Sequence, residues 1–121
     1  MTLSIAAVTF DCSNAAELGR FWSLALEREL DPAPPDQAEY FASIGVATPD
    51  PGRPAMMFIQ VPEGKTAKNR VHLDLAASDR AAEVERLVGV GATVVHDKDE
   101  WGTRWTTLTD PEGNEFCVAT H

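Results

Sequence analysis

Side chains that could coordinate a metal, move a proton or attack an electrophile occur in two short stretches of the second half. His72 and Asp74 alternate with apolar residues in 70–75 (RVHLDL), and Cys117 does so in 115–118 (EFCV). Successive side chains of a strand point to opposite faces. Each stretch therefore predicts a strand with polar groups on one face and apolar groups on the other. An imidazole, a carboxylate and a thiol on one face are able to bind a metal, exchange protons or hydrogen-bond to a ligand.

The first half contains a similar pattern. Thr9 and Asp11 alternate with Val8 and Phe10, and the same alternation applied to 55–61 (AMMFIQV) assigns Phe58 and Gln60 to the polar face. A face that met only bulk water would carry more Lys, Glu and Arg, so this mixture predicts a half-enclosed pocket. With Trp105 as an aromatic wall, the predicted ligand-binding residues are Thr9, Asp11, Phe58, Gln60, His72, Asp74, Trp105 and Cys117.

Each of these side chains also has a plainer interpretation. A single imidazole does not hold a metal, so we interpret His72 as a neutral hydrogen-bonding group in the pocket. We interpret Cys117 as a small apolar side chain, since no cation is placed beside it by sequence. Asp11 and Asp74 occupy related positions and are able to form a carboxylate pair, or to serve as solvated or capping groups. Trp101 either walls the pocket or contacts a second copy. No catalytic residue is assigned.

The elements that position these residues follow a repeated order. An amphipathic helix is predicted after a cap at Ser13 or Asn14, where Asn14 with Glu17 resembles a capping box, and a second after Ser78 or Asp79. The predicted strands are 3–12, 39–47, 55–61, 70–76, about 93–97, 103–109 and 115–119. The order is β-α-β-β-β twice, with the first short strand of each triplet the least clearly marked. The fold class is therefore α+β, with the apolar sheet face packed under the helices.

Composition limits the classes of protein. The chain has 121 residues, 44% hydrophobic and 24% charged, which predicts one globular domain. No run is apolar for long enough to span a membrane, and no secretory signal is visible. The net charge of −9 disfavours nucleic acid as a partner. Two cysteines are too few for a disulfide framework, and we expect free thiols in the cytoplasm.

Four motifs together resemble the vicinal oxygen chelate superfamily. They are Phe21-Trp22, residues 69–75 (NRVHLDL), Gly91-Ala92 and residues 110–117 (DPEGNEFC). The chain is most similar to small bacterial glyoxalase-like domains, and the superfamily includes bleomycin-binding proteins. The resemblance implies one domain over 1–121, with module 1 at about 3–61 and module 2 at about 70–120. It also implies a cup-shaped mixed sheet with helices on its outer face, and a homodimer.

Enzymes of this superfamily typically hold a divalent metal at four strand positions. Carried over, these positions fall on Ala7, Gln60, His72 and Cys117. Ala7 has no donor atom, and a thiolate suits Zn²⁺ better than Mg²⁺, Mn²⁺ or Fe²⁺. We therefore predict no metal cofactor, although a divalent metal is possible, with His72, Gln60 and Cys117 as its ligands. Glu115 is a further candidate ligand, but it lies two residues before Cys117, roughly 6–7 Å away along the strand.

Two functions follow from the resemblance. The first is metal-free binding of an aromatic or mixed-polarity metabolite or drug. The alternative is a metal-dependent glyoxalase-type lyase, isomerase or thiol transferase that uses His72. The identity of the ligand, the presence of catalysis, and pairing of the modules within one chain or across a swapped dimer are left open.

Overall fold

The computed structural model describes residues 2–120, in which two helices and seven strands are formed. Two compact units divide the chain: the first unit is Met1–Gly64 and the second unit is Lys65–His121. The elements are β1 (Ala7–Cys12), α1 (Ala15–Leu26), β2 (Phe41–Ile44), β3 (Ala55–Gln60), β4 (Asp74–Ala76), α2 (Arg80–Gly89), β5 (Thr93–Glu100), β6 (Thr103–Thr109) and β7 (Glu115–Ala119). Each unit combines one helix with one mixed sheet, which confirms the predicted α+β class.

The sheet of the first unit has the order β1-β3-β2. β1 and β3 are parallel, β2 and β3 antiparallel. A single bridge joins Leu30 to Ile44 on the far side of β2. This bridge lies in the α1–β2 connection, where the first short strand of the triplet was expected, so the described part of the first unit forms the β-α-β-β portion of the predicted module.

Helix α1 supplies most of the core of the first unit. The Asn14 side chain accepts a hydrogen bond from the Glu17 backbone N–H at 3.0 Å, so the predicted cap is confirmed. The helix ends at Glu27, whose φ of 54° is left-handed. Six residues of the helix are buried, namely Ala15, Leu18, Gly19, Phe21, Trp22 and Ala25. A stripe of this width is typical of a helix lying on a sheet.

The second unit contains the complete module. Its sheet has the order β4-β7-β6-β5, with β4 and β7 parallel and the other pairs antiparallel. Asp79 caps α2 by accepting a hydrogen bond from the Ala82 N–H at 3.1 Å. Leu87 is the one buried residue within this helix. The core lies between α2 and one sheet face, where Leu108, Phe116 and Val118 are almost completely buried.

Five predicted strands differ in length from the observed ones. The strand predicted over 3–12 is β1, Ala7–Cys12, and the one predicted over 55–61 is β3, Ala55–Gln60. The strand predicted over 39–47 is β2, Phe41–Ile44, and the one predicted over 70–76 is β4, Asp74–Ala76. The Leu73 carbonyl still accepts a hydrogen bond from the Cys117 N–H at 2.9 Å, so pairing begins just before β4. The strand expected near 93–97 continues to Glu100. None of the helices within residues 2–120 is both long and apolar enough to cross a membrane.

Candidate functional site

The second unit has a cavity of about 500 Å³. Its lining combines aromatic, thiol, imidazole and charged side chains: Lys68, His72, Asp74, His96, Trp101, Thr103, Trp105, Thr107, Glu115 and Cys117. We call it the second-unit cavity. Its floor is the sheet face opposite the one that buries Leu108, Phe116 and Val118, because the lining residues of β6 and β7 alternate with those core residues.

Strand pairing brings the central polar residues together. In the parallel pair β4–β7, Asp74 is the partner of Cys117, and in the antiparallel pair β6–β7, Cys117 is the partner of Thr107. Directly paired residues share a sheet face. The Thr107 hydroxyl oxygen lies 3.3 Å from the Cys117 sulfur, which is hydrogen-bond distance for a thiol. The pairing register therefore fixes the thiol between a carboxylate and a hydroxyl.

An imidazole completes this group. His72 Nε2 lies 3.4 Å from Asp74 Oδ1. The metal-binding or proton-binding atoms of His72, Asp74 and Cys117 all lie within 4.8 Å of one another. The His72 and Asp74 side chains are 45% and 63% exposed, so a ligand can reach both. We call these three residues the thiol–imidazole–carboxylate group.

The aromatic part of the cavity is a pair of stacked indoles. The ring centroids of Trp101 and Trp105 are 5.7 Å apart, and the ring planes differ by 14°. Trp101 and Gly102 form the two-residue loop between β5 and β6, with φ of 52° and 75°. Positive φ at both loop residues is the requirement of a type I′ hairpin turn, and it is costly for a tryptophan. Trp101 is 88% exposed, which is unusual for so large an apolar side chain.

Glu115 lines the cavity but is engaged by neighbouring cations. Its carboxylate lies 3.1 Å from Lys65 Nζ and 3.8 Å from Lys68 Nζ, and it accepts a hydrogen bond from the Asn69 backbone N–H. Burial raises the pKa of Glu115, but the bonds from Lys65 and Asn69 and the two lysine charges outweigh burial. The pKa is therefore lowered from its ordinary value. Glu115 holds the 65–69 segment in place instead of offering a free carboxylate to a metal.

The predicted site residues divide between the two units. His72, Asp74, Trp105 and Cys117 line the second-unit cavity together, as the strand alternation predicts. Thr9, Asp11, Phe58 and Gln60 belong to the first unit. A ligand-binding role for either set stays a prediction.

The predicted face of Phe58 is wrong. Phe58 is fully buried and stacks on Phe10 with a centroid distance of 5.5 Å, and Phe10 in turn contacts Trp22 of α1. In the parallel pairing of β1 with β3, Phe10 is opposite Phe58, so the two side chains share the helix side of the sheet. The residues of β3 that pair with Thr9 and Asp11 are Met57 and Ile59.

The other predicted residues of the first unit lie near strand ends or in solvent. Thr9 and Asp11 are exposed on β1. Gln60 is the last residue of β3, and its amide nitrogen donates a hydrogen bond to the Ser13 carbonyl at 3.0 Å. This bond fixes the Gln60 carboxamide to its own unit.

Sequence reasoning missed His96 and Lys68 as lining residues and left Trp101 ambiguous. His96 is exposed on β5, pairs with Thr107 and so shares the cavity face. The alternation of β5 would have indicated this if the bulge between Val94 and His96 had been foreseen. No sequence signal places Lys68, because its position depends on the bonds of the 65–69 segment to Glu115.

The four-position metal set implied by the resemblance does not fit this chain. Of its four positions, Ala7 lacks a donor and Gln60 is bonded to Ser13. Glu115, which is outside the set, is neutralised by Lys65 and Lys68 and does not replace either of them. His72 and Cys117 remain, and two protein donors fall short of the three that a catalytic zinc site uses. Asp74, which is outside that set, joins them to make a group of three side-chain types that metals accept.

Comparison with known proteins identifies the fold. A glyoxalase/bleomycin resistance protein/dioxygenase family enzyme from Burkholderia phytofirmans PsJN superposes with a TM-score of 0.75 at 15% identity, covering 98% of both chains. The fosfomycin resistance protein FosX from Mesorhizobium loti has a TM-score of 0.71 at 14% identity, covering 100% of this chain and 94% of its own. TioX from Micromonospora sp. ML1 has a TM-score of 0.64 at 20% identity, covering 98% and 99%.

No curated protein matches the sequence. The profile of the glyoxalase-like domain family matches residues 7–119, which includes every strand and both helices of residues 2–120. The fold, the repeated strand order and this match agree with the resemblance seen in the sequence, and the chain belongs to the glyoxalase-like domain family of the vicinal oxygen chelate superfamily.

Proposed function

We propose that this protein binds a flat aromatic or mixed-polarity small molecule, a metabolite or a drug, in the second-unit cavity without a metal. The observation that carries the proposal is the stacked Trp101–Trp105 pair beside the thiol–imidazole–carboxylate group. Ligand pockets typically combine such an apolar wall with a few polar groups that fix orientation. A large exposed aromatic surface on a small domain is itself a sign of binding.

The aromatic wall supplies part of the affinity. Covering about 200 Å² of apolar ligand surface is worth on the order of 5 kcal/mol before the costs of association. Stacking on an indole adds roughly 0.5–1.5 kcal/mol. Micromolar affinity needs about 8 kcal/mol after those costs, so the polar lining must also contribute, and a small dicarbonyl lacks the surface to bind well.

The polar lining would set the orientation of the bound molecule. Asp74 and His72 present an acceptor and a donor or acceptor, and the Lys68 ammonium, 3.8 Å from Glu115, adds a cation to the lining. A ring that carries one polar substituent therefore suits this cavity better than a plain hydrocarbon, because each polar group left unpaired on binding costs free energy.

A screen of aromatic metabolites and glycopeptide drugs by thermal shift and tryptophan fluorescence tests the proposal. Hits should stabilise the wild type and lose most of that effect in Trp105→Ala. Tyr40→Ala is the matched control, since Tyr40 is a 58% exposed aromatic residue of the first unit. Equal effects of the two substitutions would contradict the assignment of the aromatic wall.

Elemental analysis of protein purified without a His tag or a chelator tests the metal-free part. We expect less than stoichiometric Zn, Ni, Mn or Fe. About one metal per chain, lost in His72→Ala, would instead support a glyoxalase-type lyase, isomerase or thiol transferase that uses His72 and a Lewis-acid metal.

We also propose that two copies associate. β5 is the edge strand of its sheet and is exposed along its whole length, and unpaired edges favour association. Light scattering should then report twice the chain mass of 13.1 kDa, and a monomer at micromolar concentration would contradict it. The cytoplasmic location stays a prediction.

A further inference from the structure

We propose that Cys117 forms a covalent bond with electrophilic ligands in the second-unit cavity, with His72 taking the thiol proton and Asp74 orienting His72. The chemical class of ligand is a flat α,β-unsaturated carbonyl compound. This inference rests on the proposed function in one respect only, because the same cavity must admit the ligand.

The geometry places a thiol, an imidazole and a carboxylate close together on one sheet face. The reactive atoms of Cys117 and His72 lie within 4.8 Å, and Asp74 lies 3.4 Å from the imidazole. In ligand-free structures such pairs are often longer than a hydrogen bond and close on binding. The half-exposed His72 side chain is free to make this adjustment, and Thr107 holds the sulfur from the opposite side.

The second cysteine of the chain provides a natural contrast. Cys12 is 3% exposed, and its thiol donates to the Ile59 carbonyl at 3.4 Å. It has the environment of an inert core thiol, whereas Cys117 faces a cavity beside an imidazole. Selective reaction at Cys117 is therefore expected from position and surroundings.

The step is an addition without oxidant or leaving group. His72 accepts the proton of the Cys117 thiol, and the sulfur electron pair forms a bond to the β-carbon of the unsaturated carbonyl. The π electrons of the C=C bond move to the α-carbon and the carbonyl oxygen. The proton on His72 then passes to the α-carbon, which leaves a neutral thioether and a neutral imidazole.

The cavity walls favour a conjugated electrophile over a saturated one. Conjugation keeps the carbonyl and its substituent in one plane. A planar ligand can stack on Trp105 while its β-carbon reaches Cys117 from within the cavity. Both residues lie on the same face of the β6–β7 pair, where Trp105 and Thr107 are two residues apart and Thr107 is the partner of Cys117.

The test uses N-phenylmaleimide on folded protein freed of metal with EDTA, with labelled peptides quantified by mass spectrometry. Cys117 should react at least roughly tenfold faster than Cys12 and than glutathione in the same buffer, and His72→Gln should lower its rate by roughly tenfold or more. Tyr40→Ala is the control, because Tyr40 is an exposed residue of the first unit. Asp74→Asn should give a smaller loss than His72→Gln.

A Cys117 rate no higher than that of glutathione would overturn the inference, as would equal rates in His72→Gln and Tyr40→Ala. If His72→Gln does not fold, the comparison with glutathione and Asp74→Asn decides. Cys117→Ser separates this inference from the proposed function. Screening hits that still bind Cys117→Ser while the wild-type thiol is unreactive would leave non-covalent binding intact and remove the covalent step.

Discussion

The two units use their aromatic residues in opposite ways, although the first forms the β-α-β-β portion of the module and the second forms all of it. In the first unit, Phe10 contacts both Trp22 of α1 and Phe58 of β3, and six residues of α1 are buried. In the second unit, α2 buries Leu87 alone, and Trp101 and Trp105 stack on the open face. The comparison shows that two units of related topology need not place their aromatic side chains in the same way. The first unit buries its aromatic side chains in the core, and the second leaves Trp101 largely exposed on the cavity side.

The polar residues show the same contrast. The carboxamide of Gln60 is tied to Ser13 within the first unit, whereas Asp74 and His72 contact each other and solvent. Substitutions at equivalent residue types should therefore affect stability in one unit and binding in the other.

The largest expected effect is loss of stability on truncating the aromatic core. Trp22 is 1% exposed, so Trp22→Ala should lower the free energy of unfolding by about 3–5 kcal/mol. Trp101→Ala, at an 88% exposed position, should change it by less than about 0.5 kcal/mol. Urea denaturation followed by circular dichroism measures both. Similar losses in the two variants would contradict the contrast between a packed aromatic core in the first unit and exposed indoles in the second.

In the second unit, removing a buried carboxylate should lower stability, whereas removing an exposed cavity carboxylate should not. Asp110 is 3% exposed and accepts hydrogen bonds from the backbone N–H groups of Glu112 and Asn114. Asp110→Ala should cost about 1–3 kcal/mol, because these donors lose their acceptor.

Asp74→Ala is the control for this measurement, since the Asp74 side chain is 63% exposed. Its melting temperature should stay within a degree or two of wild type. A large drop would show that Asp74 serves the fold rather than the cavity.

Replacing Trp105 should reduce the favourable free energy of ligand binding by less than the core substitutions lower the free energy of unfolding. Trp105→Ala should weaken binding of an aromatic screening hit roughly tenfold, the equivalent of a lost stacking contact and some buried area. Isothermal titration measures the change. An unchanged dissociation constant would mean that the ligand binds away from the stacked indoles.

The smallest expected effect concerns pH. The folded-state pKa of Glu115 lies below its ordinary value of 4.5, so its contribution to stability is present above that pH and is lost as pH falls through the folded pKa. Glu115→Gln should therefore be less stable than wild type at pH 7 and nearly equal to it in strong acid. A constant difference in urea midpoint across this range would contradict the role of Lys65 and Lys68.

The sequence predicted the second unit better than the first for a physical reason. Between 70 and 75 and between 115 and 118, polar and apolar residues alternate, so one register alone gives an apolar core face. In 55–61 the odd-numbered and the even-numbered residues are both largely apolar. The pattern therefore does not show whether Phe58 faces the core or the cavity side of the sheet. The parallel pairing with β1 decides the face, and pairing register is not visible in the strand itself.

Other features depended on contacts between distant segments. The stack of Trp101 on Trp105 depends on a two-residue loop with positive φ at a tryptophan, which local preference disfavours. The bonds of Lys65 and Asn69 to Glu115 link positions about fifty residues apart. The motifs at 69–75 and 110–117 predicted the family and half of the cavity, but not these supports.

Fluorine NMR of protein labelled with 5-fluorotryptophan tests the central claim most directly. The chain has three tryptophans, so three resonances are expected, and each is assigned by a Trp→Phe variant. Titration with an aromatic screening hit should shift the Trp101 and Trp105 signals and leave the Trp22 signal unmoved. Binding that shifts Trp22, or that leaves Trp101 and Trp105 unchanged, would contradict a ligand site on the open face of the second unit.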